Sequence, residues 1–587
     1  NFDGRWTGHP GNIFANSKYY VAGGENSNDT GSEAFHIVGD THFEHVTVNL
    51  YGHAAFANIE SYRGGITTFN NVNIDLKKDK NTVFNIVGSE EVDMHLPGRQ
   101  YATRIEGSVN ITANTTNNTI YALTTYNPAV TINNTGDLIF NGASNIGFSV
   151  LSWNPDRTKY INKTFGNNWN TVYKAESSIN NFVPKIITSK PIHMYGDENV
   201  GIFFGAKKDN TIPTNEGKEK NAGIYQGIFD LKMEIGRQLN SDSKALVQST
   251  EGQITTKPGY TSTTVDGNVG VFVKSGQREG LKVIGNLTTG TKPVNVHGGS
   301  GIWSGEQQSC IFEARAEGTH AGVPAHCDIH TPYKIDDLYM DKFKITFGKY
   351  AKNGFMFLVD NGSVVHLRDA SNNGQDDFSD GINGGATDQA DTGTGTVVGY
   401  VNGLWKSSLN HLDTATWHTS LEDMPSELKV DQNLTMVSDK GIAYYADNGG
   451  LVNVNNNKTT TAKGYGSIIG YANGYDGNVK STVHFTGDIT AIDDISSPLS
   501  DKVTEKYTNI GAYAKDGGIV NVDGKATIHG IGGFADSGEV NLKNTDNEVT
   551  TVRDAGLVAK NGGKFNFNGG NIIIKNDSNV TKATSTN

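Results

Sequence analysis

The sequence has few cysteines and no long apolar runs, and these shortages narrow the class of protein. It contains 2 Cys in 587 residues, which excludes a disulfide-rich scaffold. Apolar runs such as 354–359 are far shorter than the ~20 residues that a helix needs to span a bilayer. We therefore expect that this chain does not insert into a membrane.

Clustered basic charge is missing as well. The chain has 49 Lys and Arg against 62 Asp and Glu, a formal net charge of −13, and no basic stripe. Binding to nucleic acid phosphates requires clustered Lys and Arg side chains. We therefore expect no nucleic-acid partner.

Glycine, in contrast, is abundant. The chain has 71 Gly, well above the average of about 7%, and a hydrophobic share of 36%, which is low for a large packed core. Aromatic and β-branched residues are nevertheless spread along the whole sequence, which argues against disorder. This composition favours a thin, turn-rich, all-β body over a globular α/β enzyme.

Internal repetition is the most informative feature. Each unit is a short apolar strand ending in Ala, an Asp/Asn/Gly turn, and then an alternating strand that contains Asn. The best copies are 441–454 (GIAYYADNGGLVNV), 511–522 (GAYAKDGGIVNV), 533–542 (GFADSGEVNL) and 556–567 (GLVAKNGGKFNF). Weaker copies are found at 64–74, 201–210, 269–276, 357–367 and 471–485. Self-similarity of this kind is typical of repeat architectures.

The chemistry of the repeat predicts its local structure. The turns 447–450, 515–518 and 560–563 carry Asn, Asp and Gly, the residues that tolerate the positive φ of a tight turn. After the first turn, Val452 and Val454 alternate with polar residues, which predicts a strand with one buried face. A small residue precedes each turn, where it suits a crowded corner: Ala446, Ala514, Ala535 and Ala559.

The spacing of the repeats predicts a parallel β-solenoid. The equivalent residues Asn453, Asn521, Asn541 and Asn566 are separated by 68, 20 and 25 positions, so we expect a step of 20–25 residues and count the first interval as three steps. Some 20–25 coils at ~4.8 Å each would form a rod about 100 Å long. The equivalent Asn side chains would stack into a ladder along the axis, which we interpret first as a stabilising device. A propeller or a row of Ig-like sandwiches would need longer periods.

These patterns suggest a division of the chain into three parts. Residues 1–296 form an N-terminal β-helix portion with insertions, 297–345 form a Cys-containing insertion, and 346–587 form a C-terminal β-helix portion interrupted at about 371–427. Loop and short-helix insertions, including a helix around 408–422, complete the predicted all-β fold.

The two cysteines admit three interpretations. Cys310 and Cys327 flank a loop, and in an exported protein a local disulfide is the favoured one. Free thiols are the simpler alternative. A zinc site with His320, His326 and His330 is the third, but the spacing of paired zinc ligands is not matched. We therefore predict no metal and no cofactor.

The insertions are the candidates for recognition, because insertions in repeat proteins fall on one face as loops. Three stand out, at 157–183, 297–333 and 371–427. Exposed aromatic side chains are good contact residues for sugars and for proteins, although each Trp can equally cap its own insertion. The predicted binding residues are Trp303, Tyr333, Trp405, His411 and Trp417. The Asp-rich stretch 372–391 lacks EF-hand spacing, so a solvated loop is favoured there over a calcium site.

β-helical proteins include polysaccharide lyases and hydrolases, so an enzyme is an alternative that the sequence has to support with catalytic motifs. Asp336-Asp337 and Asp493-Asp494 are sequence neighbours, and neighbours on a strand point to opposite faces. No Gly-x-Ser-x-Gly, Walker A or His-Glu-x-x-His motif is present. We therefore expect that the chain is not an enzyme. A β-helical polysaccharide lyase or hydrolase and an inert stalk remain the alternatives.

The quoted repeats resemble those of bacterial type V autotransporter passengers, and they look most like the large fusobacterial outer-membrane adhesins. The resemblance covers roughly residues 350–570 well and the N-terminal half only by texture. It implies a right-handed β-helix passenger, displayed on the bacterial cell surface and anchored to the outer membrane by a C-terminal barrel that is absent from this sequence. It also implies attachment to a host receptor protein, a host glycan or a partner bacterial surface, but no motif identifies the ligand.

The ends of the sequence fit such a fragment. It begins at Asn1 without a Met or a signal peptide, and 582–587 resembles a cut point. We therefore expect a piece of a longer protein, and we expect it to be a monomer.

Overall fold

The structure is a computed structural model, and it describes β-strands, turns and bends. No helix is present in the part of the chain that it describes, so none there is long and apolar enough to cross a membrane. The predicted helix around 408–422 lies outside the described residues. The structure describes residues 2–3, 12–22, 32–60, 65–87, 103–123, 130–151, 185–205, 228–235, 265–274, 281–283, 295–296, 300–301, 310–312, 338–340, 342–348, 351–367, 378–379, 395–405, 424–491, 508–551 and 555–574.

One sheet, which we call sheet A, runs through the whole described chain. All its neighbouring strands are parallel, and each pairs with the next sheet A strand in chain order. Its fifteen strands are Phe2–Asp3, Ser32–Val38, Ala54–Glu60, Thr82–Val87, Thr119–Leu123, Ile146–Leu151, Val200–Gly205, Val269–Lys274, Phe355–Asp360, Val397–Asn402, Ile442–Asp447, Ile468–Asn473, Asn509–Lys515, the second half of Ala526–Asp536, and Leu557–Lys560.

Three further parallel sheets receive the chain between its visits to sheet A. Sheet B has 12 strands: Asn12–Ala15, Lys18–Val21, Thr41–Glu44, Thr47–Leu50, Gly65–Leu76, Thr103–Ala113, Val130–Asn134, Leu138–Phe140, Lys185–Thr188, Ile192–Met194, Ile228–Ile235 and Lys342–Phe347. Sheet C has 8: Leu338–Met340, Val364–Leu367, Glu427–Val430, Leu451–Val454, Thr482–Phe485, Ile519–Val522, Glu539–Leu542 and Lys564–Phe567. Sheet D consists of Phe378–Ser379, Leu434–Met436, Thr460–Ala462, Ile489–Ala491, the first half of Ala526–Asp536, Asn547–Thr551 and Gly570–Ile574.

The order of visits repeats along the chain. In the N-terminal part the chain passes from sheet A through sheet B and back to sheet A; in the C-terminal part it passes through sheet C, then sheet D, and returns to sheet A. Each return places a strand beside the sheet A strand of the preceding level. This all-β arrangement of long parallel sheets is consistent with a β-solenoid.

Five short strand pairs lie beside these sheets in the described residues. One is parallel, Val265–Asp266 with Ala351–Lys352. The antiparallel pairs are Leu281–Val283 with Cys310–Phe312, Asn295–Val296 with Ser300–Gly301, Leu404–Trp405 with Met424–Pro425, and Tyr475–Asp476 with Val479–Lys480.

The repeat chemistry predicted from the sequence is confirmed. Positive φ angles occur at Asn448 and Gly449 (48° and 87°), and at the equivalent positions of the turns 515–518 and 560–563. The Val side chains after the first two turns are fully buried, and so are Ala446, Ala514 and Ala535. Ala559 is exposed, because its level is the last that the described residues form in sheet A.

The number of levels differs from the prediction. Sheet A has fifteen strands in the described residues, which corresponds to about 70 Å at ~4.8 Å per level, instead of 20–25 coils and about 100 Å. The interval between Asn453 and Asn521 holds one intermediate level, Thr482–Phe485, so it spans two steps and not three. The reason is that segments inserted at the corners lengthen the interval without adding a level.

Buried aromatic rings fill the interior in the N-terminal part. The rings of Phe84, Tyr121 and Phe148 belong to successive sheet A levels and stack with centroid distances of 4.8 and 4.9 Å. All three side chains are fully buried, and burial raises the pKa of the Tyr121 hydroxyl well above its ordinary value. The same position of the later levels is taken mostly by smaller residues, namely Gly399, Gly470, Ala512 and Gly533, although Phe357 and Tyr444 also lie there.

The Tyr121 hydroxyl has no hydrogen-bond partner within the described residues. A buried polar group without a partner costs free energy relative to its hydrated state. We therefore expect Tyr121→Phe to raise the free energy of unfolding by about 1 kcal/mol. The reverse change at the adjacent ring, Phe84→Tyr, should lower the free energy of unfolding. Denaturant unfolding of both variants measures this, and a loss of stability in Tyr121→Phe would show that a buried water satisfies the hydroxyl.

A ladder of buried asparagines, which we call the inner asparagine ladder, lies at the corner where the chain enters sheet A. Five consecutive levels contribute Asn81, Asn118, Asn145, Asn199 and Asn268, all at most 1% exposed. In each of the first four, the backbone N–H donates to the side-chain oxygen of the next, over 2.9–3.0 Å. The ladder ends where the next level has Gly354, because a Cβ there would lie 2.4 Å from the Phe347 ring.

Candidate functional site

The structure places only part of the residues predicted to bind. Trp405 lies on the strand Leu404–Trp405, opposite Met424. Trp303, Tyr333, His411 and Trp417 lie outside the described residues. The described part of the chain therefore does not bring the predicted binding residues together, and their role stays a prediction.

The predicted disulfide also stays a prediction. Cys310 begins the strand Cys310–Phe312 and pairs in register with Val283. Cys327 lies outside the described residues, as do most of the loop between the two cysteines and the histidines of the alternative zinc site.

A row of aromatic side chains on the outer surface of sheet A is a candidate contact surface within the described residues. Five consecutive levels contribute it, in direct register with one another. We call this the tyrosine row: Tyr400, Tyr445, Tyr471, Tyr513 and Phe534. Each of these side chains is half-buried.

The local sequence explains why these rings face outward. In Ile442–Asp447 two consecutive residues, Ala443 and Tyr444, are buried, so Ile442, Tyr445 and Asp447 are the residues that face out. The strand Ile468–Asn473 shows the same burial pattern. Ordinary alternation along a strand would have placed a different set of side chains on the surface.

The rings of the tyrosine row pack against one another. Centroid distances are 4.9 Å for Tyr400–Tyr445, 4.4 Å for Tyr445–Tyr471, 4.8 Å for Tyr471–Tyr513 and 4.9 Å for Tyr513–Phe534. In the two middle pairs the planes are 15° apart, so the ring faces cover each other. The row therefore presents ring edges and hydroxyl groups to its surroundings.

Two further rows run beside the tyrosine row. On one side lie half-buried isoleucines, one per level, which we call the isoleucine row: Ile442, Ile468, Ile510 and Ile531. On the other side lies a polar row, in which Asn402, Asp447, Asn473 and Lys515 are in register and Asp536 follows at the end of the next strand. The three rows together give a strip of apolar and aromatic surface with a polar border.

Asp447 holds the tyrosine row to its polar border. The hydroxyls of Tyr400 and Tyr445 both donate to Asp447 Oδ2, at 3.0 and 3.3 Å. The side-chain amide of Asn473 donates to Asp447 Oδ1 at 2.9 Å. One carboxylate thus connects three successive levels, and the ring orientations depend on it.

The phenol groups of Tyr400, Tyr445 and Tyr471 have raised pKa values and so stay protonated at physiological pH. Burial, together with the nearby Tyr513 and the carboxylates of Asp447 and Asp516, raises the pKa of Tyr471 to about 12. Burial and the Asp447 carboxylate raise the pKa of Tyr400 and of Tyr445 well above the ordinary value. These three hydroxyls are therefore neutral. Those of Tyr400 and Tyr445 donate to Asp447, and a phenol oxygen that donates can still accept a hydrogen bond.

The composition of the strip is suited to binding another molecule. Packed aromatic edges with an apolar row and a polar border are the composition of a recognition surface. Within the part of the chain that the structure describes, no three His, Cys, Asp or Glu side chains are grouped so as to hold a metal ion.

Two short antiparallel strand pairs lie between sheet A strands and the sheet C strands that follow them, Leu404–Trp405 with Met424–Pro425 and Tyr475–Asp476 with Val479–Lys480. In the first, Leu404 packs so close to the next turn that a Cβ on Gly449 would lie 3.0 Å from its Cδ2. In the second, Tyr475 is 62% exposed, and a Cβ on Gly517 would lie 3.0 Å from its ring. Trp405 therefore belongs to a strand pair that begins two residues after Asn402 of the polar row.

The fold and this surface define an all-β protein built from parallel stacked strands. Comparison with known proteins adds no relative: no protein-family model, no curated protein and no solved structure matches the chain.

Sequence analysis missed the tyrosine row, although a signal for it was present. In four of the repeats an aromatic residue directly precedes the buried Ala, as in Tyr445-Ala446 and Tyr513-Ala514. The pattern was interpreted only as an apolar strand. The missing information was the pair of consecutive buried residues, which shifts the aromatic position from the interior to the surface.

Proposed function

We propose that the chain is a right-handed parallel β-helix that acts as the adhesive, surface-displayed part of a bacterial adhesin, with the tyrosine and isoleucine rows as a contact surface. The observation that carries this proposal is the strip itself, which continues over five levels of one outer face. The handedness rests on the strong preference for right-handed crossovers between parallel strands.

The geometry of the strip favours a protein partner over a glycan. Sugar rings bind aromatic side chains mainly through the ring faces, and here the middle faces cover each other at 4.4 and 4.8 Å. The isoleucine row adds aliphatic surface, which suits the apolar centre of a protein interface. A receptor protein on a host cell, or a protein on a partner bacterium, is therefore the partner that we propose first.

The test compares two double variants that add the same charge on different faces. Ile468→Lys with Ile510→Lys places two ammonium groups in the strip. Thr461→Lys with Thr490→Lys places them on the outer surface of sheet D, on the two strands that directly precede those of the isoleucines. All four positions are half-buried and face outward, so both variants should fold, which circular dichroism checks.

Binding of the labelled chain to cultured epithelial cells, to a panel of other bacteria and to immobilised glycans gives the result. We expect saturable binding to cells, weakened at least about tenfold by the isoleucine pair, since buried interface charge costs over 1.4 kcal/mol. The threonine pair should change it little. If the two double variants weakened binding equally, the strip would not be the contact surface.

The alternatives have distinct outcomes in the same experiments. Binding that survives the isoleucine pair but is lost on deletion of 299–330 or 406–423 would assign the contact to the insertions with Trp303, His411 and Trp417. Both deletions leave the strand Val397–Asn402, and with it Tyr400 of the tyrosine row, in place. Release of oligosaccharides from a polysaccharide panel would favour a lyase or hydrolase. Absence of binding to every surface would favour an inert stalk and contradict the proposal.

A further inference from the structure

Several turns at the edge between sheet A and sheet C contain Asn followed by Gly, a sequence with its own chemistry. The backbone nitrogen of the Gly can attack the side-chain carbonyl carbon of the Asn. The new C–N bond closes a succinimide ring, the bond to the side-chain nitrogen breaks, and ammonia leaves with the proton of the backbone N–H. Water then opens the ring to Asp or isoaspartate. Gly permits this reaction best because it has no side chain to hinder the attack.

In two of these turns, the attacking N–H is held by a buried serine hydroxyl from the next level. The N–H of Gly362, which follows Asn361, donates to Ser426 Oγ at 2.9 Å. The N–H of Gly449, which follows Asn448, donates to Ser481 Oγ at 2.8 Å. Both serine side chains have no exposed surface. An N–H in a buried hydrogen bond is not free to lose its proton and attack.

Each serine is fixed by a second hydrogen bond. Ser426 donates its hydroxyl proton to the carbonyl of Asn402 at 2.7 Å, and Ser481 donates to the carbonyl of Asn473 at 2.6 Å. Each hydroxyl therefore has a defined direction, with its oxygen turned towards the glycine. The same arrangement recurs on two levels, where each serine directly follows a segment inserted between sheets A and C.

We propose that Asn361 and Asn448 are latent deamidation sites, and that Ser426 and Ser481 are positioning residues. Each serine slows deamidation of its asparagine by accepting a hydrogen bond from the N–H of the glycine that follows. Asn448 adjoins Asp447, the carboxylate that orients Tyr400 and Tyr445. Its side-chain amide also donates to Asn402 Oδ1 at 2.9 Å. Deamidation there replaces this donor with a carboxylate, and so adds negative charge beside the tyrosine row.

The experiment follows both asparagines by peptide mapping with mass spectrometry after incubation of the full chain at mildly alkaline pH and body temperature. We expect Ser426→Ala to speed deamidation of Asn361 about fivefold, the factor that corresponds to one hydrogen bond of ordinary strength, and to leave Asn448 unchanged. Ser481→Ala should do the reverse.

A matched control separates this effect from general loosening. Ser363 is also fully buried and belongs to the same turn as Asn361, but its hydroxyl donates to the carbonyl of Asp360 at 2.8 Å. Ser363→Ala therefore removes a buried hydroxyl and leaves the bond between Gly362 and Ser426 in place. The proposal is overturned if Ser363→Ala speeds the reaction at Asn361 as much as Ser426→Ala does, or if neither serine variant changes the rate at its own asparagine.

Discussion

Replacing Gly518 with Ala is expected to destabilise the levels around it by about 3 kcal/mol, because the added methyl group overlaps a neighbouring main chain. A Cβ at Gly518 would lie 2.3 Å from the carbonyl oxygen of Ala472 and 2.5 Å from its carbonyl carbon. Gly518 has no positive φ, so space and not backbone conformation requires glycine here. The overlap involves backbone atoms on both sides, and neither can move without disturbing the pairing of sheet A.

The control is Gly562, which is the third residue of the equivalent turn 560–563, whereas Gly518 is the fourth residue of 515–518. The φ of Gly562 is 78°, and a Cβ there would meet nothing within 4 Å. Gly562→Asn should therefore cost less than about 1 kcal/mol, since Asn tolerates the left-handed region. Because stacked repeats lose cooperativity, hydrogen exchange of peptides covering 468–473 and 509–522 is the proper readout. Equal protection in Gly518→Ala and in the parent chain would refute the close approach.

The turns show how far local chemistry predicts structure. Residue type alone indicated the positive φ at Asn448 and Gly449, because few residues adopt that conformation. The burial of Val452 and Val454 followed from alternation. Both features are set within a few residues of chain, and so they can be read from a single repeat.

The ladder of equivalent asparagines on sheet C, which we call the outer asparagine ladder, was predicted only in part. Which asparagines become neighbours depends on the register of strands that are far apart in the sequence. Asn541 donates to Asn521 at 2.8 Å, and Asn566 donates to Asn541 at 2.6 Å. Asn453 does not join them, because His484 occupies the level between. Its amide donates instead to Glu427 at 2.8 Å. The number of levels between two repeats depends on where insertions leave the stack, which local patterns do not reveal.

The inner asparagine ladder could not be predicted for the same reason. Its members are separated by 37, 27, 54 and 69 positions, so they have no fixed period. The tyrosine row had a recognisable sequence signal, but its direction depends on a local departure from alternation. Contact residues in the insertions, such as Trp417, rest on composition alone, and composition does not determine which loops meet.

Removing one asparagine from the inner asparagine ladder should also lower the stability of the stack strongly. Asn118 Oδ1 accepts both the backbone N–H and the side-chain amide of Asn81, each at 2.9 Å. Its own amide donates to Asn145 Oδ1 at 2.9 Å and to Thr115 Oγ1 at 3.0 Å. Asn118→Ala leaves the buried backbone N–H of Asn81 without its acceptor. It also removes one hydrogen bond each from the Asn81 amide, Asn145 Oδ1 and Thr115 Oγ1, which keep a second partner. We expect a total cost of about 3 kcal/mol. The loss of stability should extend to the levels on both sides, because Asn118 is hydrogen-bonded to the asparagines of both adjacent levels.

Asn110→Ala is the control. Asn110 lies on the preceding strand, Thr103–Ala113 of sheet B, and its side chain faces outward. Its amide donates to Asn73 Oδ1 at 3.1 Å, and its oxygen accepts from the N–H of Asp137. Because water can replace both partners at this half-exposed position, the cost should stay below about 1 kcal/mol. Hydrogen exchange of the strands 82–87 and 146–151 distinguishes the two: Asn118→Ala should lower protection in both, and Asn110→Ala in neither. Similar, small losses in the two variants would mean that water enters the corner, and that shape and not hydrogen bonding selects asparagine there.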